Sequence, residues 1–69
     1  MEMDDLITRF TYHAPKEGQP EKYEAIRNKG FGLAQTIETL CPDSREQSLA
    51  ITKLEEAVMW ANAAIARRS

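Results

Sequence analysis

The stretch CPDSREQSLAITKLEEAVMWANAAIARR, residues 41–68, decides the fold. Pro42 stops any helix that precedes it, because it lacks an amide proton and its ring crowds the turn before it. Asp43 with Glu46, and Ser44 with Gln47, both have the spacing of a capping box, so a helix is expected from about 44 to 67. No Gly or Pro interrupts it before Arg68. About 24 residues make a helix of about 36 Å. Ile51, Leu54, Val58, Ala61 and Ile65 recur at steps of three and four and form one apolar stripe. Leu49, Ala57, Trp60 and Ala64, with Met59 nearby, broaden that stripe beyond what one partner helix covers. Between Ala57 and Ala66 the only polar residue is Asn62. A helix apolar on most sides has to be buried on most sides, and its alanines permit close approach of another helix. A tightly packed homo-oligomer is the expectation.

Upstream of Pro42 a first long helix is expected over about 20–40. Pro20 suits the first helical position, and Glu21 and Glu24 complement the positive end of the dipole. Tyr23, Ile26, Leu33, Ala34, Ile37 and Leu40 supply its apolar side. Gly30 and Gly32 interrupt the middle, each at about 1 kcal/mol relative to alanine, and so require a reason. Close packing of another backbone or side chain is the first explanation, and contact with a ligand the second. Residues 11–19 read as a loop punctuated by Pro15 and Gly18. Residues 4–10 make a short helix with Leu6, Ile7 and Phe10 on one side. The fold class is all-α: a short N-terminal helix followed by a long antiparallel helical hairpin, with residues 1–69 as one hairpin domain assembled into a compact homo-oligomer.

Length and composition exclude several alternatives. A chain of 69 residues buries only about 60% of the surface its unfolded form exposes, so its own core is marginal. Small domains add disulfides, a metal or oligomerisation. One cysteine, Cys41, precludes an intramolecular disulfide, and with one histidine, His13, it precludes a closed Cys/His zinc site. No cofactor is expected. No apolar run approaches the roughly 18 residues of a membrane span, and the acidic start (Glu2, Asp4, Asp5) does not resemble a signal peptide. The expected setting is a reducing cytoplasm, with no membrane partner. Net charge is −2, from eleven acids and nine bases, too even for a DNA or RNA binder. The distribution is uneven, however. Arg9 to Lys29 holds five bases against three acids, and Arg67 and Arg68 follow at the far end. A small anion suits such a pattern better than a long polyanion.

Catalysis finds little support. A Cys41/His13 nucleophile pair would need two distant residues to meet, and Cys41 at the turn reads as a small apolar filler. Glu55 and Glu56 diverge by about 100° on a helix and cannot share a metal as neighbours. Glu38, Glu46 and Glu55 read as surface charges. No phosphate-binding glycine loop follows a strand. The segment from Arg9 to Lys29 carries more. An aromatic ring such as Tyr12 stacks on a nucleobase, and Arg9, Arg27 and Lys29 can pair with its phosphates, with His13 alongside. The plainer alternative has Tyr12 covering the hairpin and Arg27 paired with Glu24 or a neighbouring chain. Arg67 and Arg68 equally suit the negative end of a helix dipole, each contributing about 0.3–1 kcal/mol.

Two strings together, RFTYHAPKEGQPEKYEAIR (residues 9–27) and CPDSREQSLAITKLEEAVMWANAAIAR (residues 41–67), resemble the helical-hairpin domain of tailed phages. That domain occurs in anti-CBASS protein two and, as a part, in an anti-Thoeris protein. The resemblance covers nearly the whole chain. It implies a phage immune-evasion sponge: a compact helical homohexamer that sequesters cyclic oligonucleotide second messengers without cleaving them, in the cytoplasm of the infected bacterial host. The implied ligands are cyclic dinucleotides such as 3′,3′-cGAMP and cyclic trinucleotides. It implies a dinucleotide pocket that uses Tyr12 and a basic residue of the first long helix, here Arg27, with His13, Arg9 and Lys29 as further candidates. For a trinucleotide it implies Arg67, with Arg68 as the alternative. A cyclic dinucleotide has an approximate twofold that matches a dimer axis, and a cyclic trinucleotide matches a threefold. The alternative function is a helical structural or interaction protein that binds a host or phage protein.

Overall fold

The computed structural model describes residues 2–69. These form three α-helices in the order α1 (Met3–Phe10), α2 (Gln19–Leu40) and α3 (Arg45–Arg68), and no strand occurs among the described residues. The helix α2 starts one residue before Pro20, after Gly18, whose φ of 82° is the left-handed turn that glycine tolerates. It ends at Leu40, where Cys41 N–H donates to the Ile37 carbonyl at 2.9 Å. Ser44 is the N-cap of α3: its Oγ accepts from Gln47 N–H at 3.1 Å. Of the two capping pairs read from the sequence, Ser44 and Gln47 form the cap. Gln47 does not close the box locally. Its Nε2 donates across the turn to the carbonyls of Cys41 (2.9 Å) and Glu38 (3.3 Å), so Gln47 serves both helices: its backbone N–H takes the Ser44 cap of α3 and its side chain satisfies the end of α2.

The two long helices pack antiparallel along one seam. From α2 the seam takes Gln19, Tyr23, Ile26, Gly30, Ala34 and Ile37; from α3 it takes Gln47, Ile51, Leu54, Val58, Ala61 and Ile65. Both sets step by three and four, as helices lying nearly parallel to one another require. The α3 stripe is the one expected. On α2 the expectation needs correction: Leu33 lies half-exposed at the edge of the seam, Leu40 is 76% exposed, and Gly30 takes the place between Ile26 and Ala34. A Cβ built on Gly30 would lie 2.7 Å from Val58 Cγ2, whereas one on Gly32 would meet nothing within 4 Å. Close packing therefore explains Gly30 and leaves Gly32 without a structural role in the chain. Cys41 is exposed at the turn, so it fills no apolar gap.

The chain measures 44 × 30 × 12 Å. Its least dimension equals one helix diameter. A slab one helix thick has a seam but no interior, and accordingly no hydrophobic side chain among the described residues is fully buried. Phe31, Leu33, Leu49, Met59 and Trp60 lie open on its faces. Charge adds little cohesion. The ion pair Lys53 Nζ–Glu56 Oε2, at 3.6 Å on the surface of α3, contributes at most about 0.5 kcal/mol.

Candidate functional site

Three bases gather where α1 meets the end of α3. Asp5, Thr8 and Arg9 of α1 and Trp60, Arg67 and Arg68 of α3 line a cavity of about 360 Å³. Trp60 and Arg67 are seven residues apart, two helical turns, and so share a face of α3. Three guanidinium groups oppose one carboxylate there. Such a site favours an anion, and the indole offers an apolar face beside it.

The last turn of α3, which carries Arg67 and Arg68, is tied down from the other end of the chain. Gln19 is 2% exposed and its Nε2 donates to the carbonyls of Ile65 (2.9 Å) and Ser69 (3.1 Å). Its Oε1 accepts from Lys16 N–H at 2.9 Å. Lys16 Nζ donates to the Ser69 carbonyl at 3.2 Å and Lys22 Nζ to Ser69 Oγ at 3.1 Å. These donors meet carbonyls that a helix end leaves free, and two ammonium groups stand at the negative end of the α3 dipole.

Further along the hairpin the seam is flanked by two shallow apolar hollows. One, of about 340 Å³, has Arg27 and Glu55 at its polar edge and Phe31, Ile51, Leu54 and Met59 within. The other, of about 260 Å³, has Lys29 as its only charge among Ile26, Leu33, Leu54, Ala57 and Ala61. Gly30 and Val58 belong to both. Arg27 and Lys29, two positions apart, are turned by about 200° and so serve opposite sides of the slab.

Within one chain, Arg67 and Arg68 lie together, and the residues of the Tyr12 set lie apart from one another. Arg9, read with the Tyr12 set, lies with Arg67 and Arg68. Arg27 and Lys29 stand apart from each other, and among the described residues Arg27 makes no ion pair with Glu24. Tyr12 is 84% exposed in the loop after α1 and does not cover the hairpin. His13 folds back: its Nε2 donates to the Thr8 carbonyl at 3.0 Å, capping the end of α1 and using the ring nitrogen locally. Sequence reasoning missed two contributors. Trp60 reads in the sequence as part of an apolar stripe, although its seven-residue spacing to Arg67 is visible there. Gln19 carried no local signal, because all it contacts on α3 lies far along the chain.

Among the described residues no three His, Cys, Asp or Glu side chains cluster as metal ligands would. None of the described helices is long and apolar enough to cross a membrane.

A family model for the Acb2/Tad1 hairpin domain matches residues 3–66. No curated protein and no solved structure matches the chain. The matched span runs from the first turn of α1, through Tyr12, Gln19, Arg27 and Trp60, into the last turn of α3, and stops one residue short of Arg67. With α1, α2 and all but the last two residues of α3 inside it, the chain belongs to the Acb2/Tad1 hairpin-domain family.

Proposed function

We propose that this protein is a phage immune-evasion sponge. It binds cyclic di- and trinucleotide signals of bacterial CBASS immunity in the infected cell and holds them without cleaving them. The observation that carries this reading is the Arg9, Arg67, Arg68 and Trp60 cavity in a chain of this family. Phosphates and bases are the two parts of a nucleotide, and guanidinium groups and an indole are the complements of each. Sequestration requires binding groups alone and lowers the free signal by mass action.

The binding form is a homo-oligomer, and a homohexamer fits both ligand classes. A slab one helix thick with Phe31, Leu33, Met59 and Trp60 open on its faces supports self-association. On a twofold axis two copies each present Tyr12 to a base and Arg27 to a phosphate. On a threefold axis three copies each present Arg67. The Arg9 grouping adds α1 to the second site. The same open apolar faces suit a protein partner instead, and that reading requires no affinity for nucleotides.

The deciding experiment mixes purified protein with 3′,3′-cyclic GMP-AMP and, separately, with cyclic tri-AMP. Intact-complex mass spectra are recorded, and the nucleotide released on heating is analysed. Binding with unaltered release is expected, and the ligand count per oligomer reports which axes are used. Altered nucleotide would mean an enzyme. No binding of either ligand would favour the protein-partner reading.

A further inference from the structure

We infer that Gln19 is a positioning residue for the arginine cavity: it locks the loop that carries α1 and Tyr12 to the helix end that carries Arg67 and Arg68. The inference rests on the proposed function for its ligand and on geometry for the rest. Gln19 is the one buried polar side chain among the described residues. Its amide uses both donor hydrogens at the end of α3, on Ile65 and the C-cap Ser69, and its oxygen on the loop, at Lys16 N–H. The two carbonyls bracket Arg67 and Arg68 in the chain. The amide of Lys16 lies in the segment that returns from α1, where Arg9 and the His13-capped end are.

A buried hydrogen-bonded bridge of this kind matters because the other bonds to this helix end, from Lys16 Nζ and Lys22 Nζ to Ser69, are exposed to solvent and hold it less firmly. The terminal turn of a helix frays when its carbonyls lack partners. The short α1 has eight residues, fewer than an isolated helix needs to persist. Arg9 therefore meets Arg67 and Arg68 only while loop and helix end stay joined. Without the bridge the same three charges and Trp60 exist, but a ligand must order them at its own expense in entropy.

Two variants separate positioning from bulk. Gln19→Met keeps the volume and the helix propensity and loses all three hydrogen bonds. Gln19→Glu keeps the acceptor for Lys16 N–H and loses both donations to the end of α3. Measurements are helix content, amide hydrogen exchange at Lys16, acrylamide quenching of Trp60 and affinity for cyclic tri-AMP. In Gln19→Met the helices are expected to persist, Lys16 exchange and Trp60 quenching to rise, and affinity to fall about tenfold. In Gln19→Glu, Lys16 is expected to stay protected while affinity falls equally. Wild-type affinity and unchanged Trp60 quenching in Gln19→Met would overturn the inference, as would loss of all helical structure in both variants. If the wild-type protein binds neither cyclic tri-AMP nor 3′,3′-cyclic GMP-AMP, the sponge reading fails. The exchange and quenching results then decide the positioning role alone, and no change in either overturns it.

Discussion

Gly30 and Val58 are in contact at the middle of the hairpin, so close that a Cβ on residue 30 would lie 2.7 Å from Val58 Cγ2. Val58 has one strongly preferred rotamer on a helix and cannot swing aside cheaply. The methyl group would have to push the helices apart at the centre of the seam. Gly30→Ala gains about 1 kcal/mol of helix propensity but incurs an overpacking penalty of about 1–3 kcal/mol. A lower thermal midpoint is expected, measured by circular dichroism. A midpoint above wild type would mean that the seam is looser than the contact implies.

The same contact predicts a coupling. Val58→Ala alone loses packing at the seam, and in its presence Gly30→Ala should be harmless or favourable. The double variant should be more stable than the two single changes added together, by about 0.5–3 kcal/mol in a double-mutant cycle. Strict additivity would sink the idea that these two residues set the spacing of the helices.

Gly32 is the control. Nothing in the chain approaches its missing Cβ, so Gly32→Ala should stabilise the helix by about 0.5–1 kcal/mol. A fall in midpoint together with a smaller mass in solution would instead locate Gly32 in a contact between copies.

At the turn, Ser44→Ala removes the oxygen that accepts from Gln47 N–H. A cost of about 1 kcal/mol is expected, largely restored by Ser44→Asp, which caps equally well. Chemical denaturation reads this. An unaffected Ser44→Ala would mean that the Gln47 bonds to Cys41 and Glu38 hold the turn unaided.

For the ligands, Tyr12→Ala and Arg67→Glu should separate. Tyr12 is exposed, so its removal should leave the midpoint unchanged and weaken 3′,3′-cyclic GMP-AMP by at least about fivefold, given that base–aromatic stacking is worth about 1–3 kcal/mol. Arg67→Glu, and Arg9→Glu with it, should weaken cyclic tri-AMP and spare the dinucleotide. Titration calorimetry of both ligands on each variant tests this. Equal loss of both ligands in every variant would mean a single shared site.

Local chemistry was legible in the sequence because its determinants are contiguous. Pro42, the Ser44 cap and the long stretch without Gly or Pro define the turn and α3, and the steps from Ile51 to Ile65 identify the face that α3 turns to its partner. Gly30 and Gly32 announced a constraint without saying which of them bore it. Tertiary structure decided the rest, because it depends on which residues of one helix meet which of another. The register opposite Val58 puts Gly30 in the seam and leaves Leu33 at its edge and Leu40 exposed. The bonds of Gln19 span 46 and 50 residues, and no local pattern encodes a partner at such separations. The fold-back of α1 likewise brings Arg9 to Arg67 and Arg68. Helix propensity and capping act over one or two turns, whereas cross-helix contact depends on the shape of both surfaces at once.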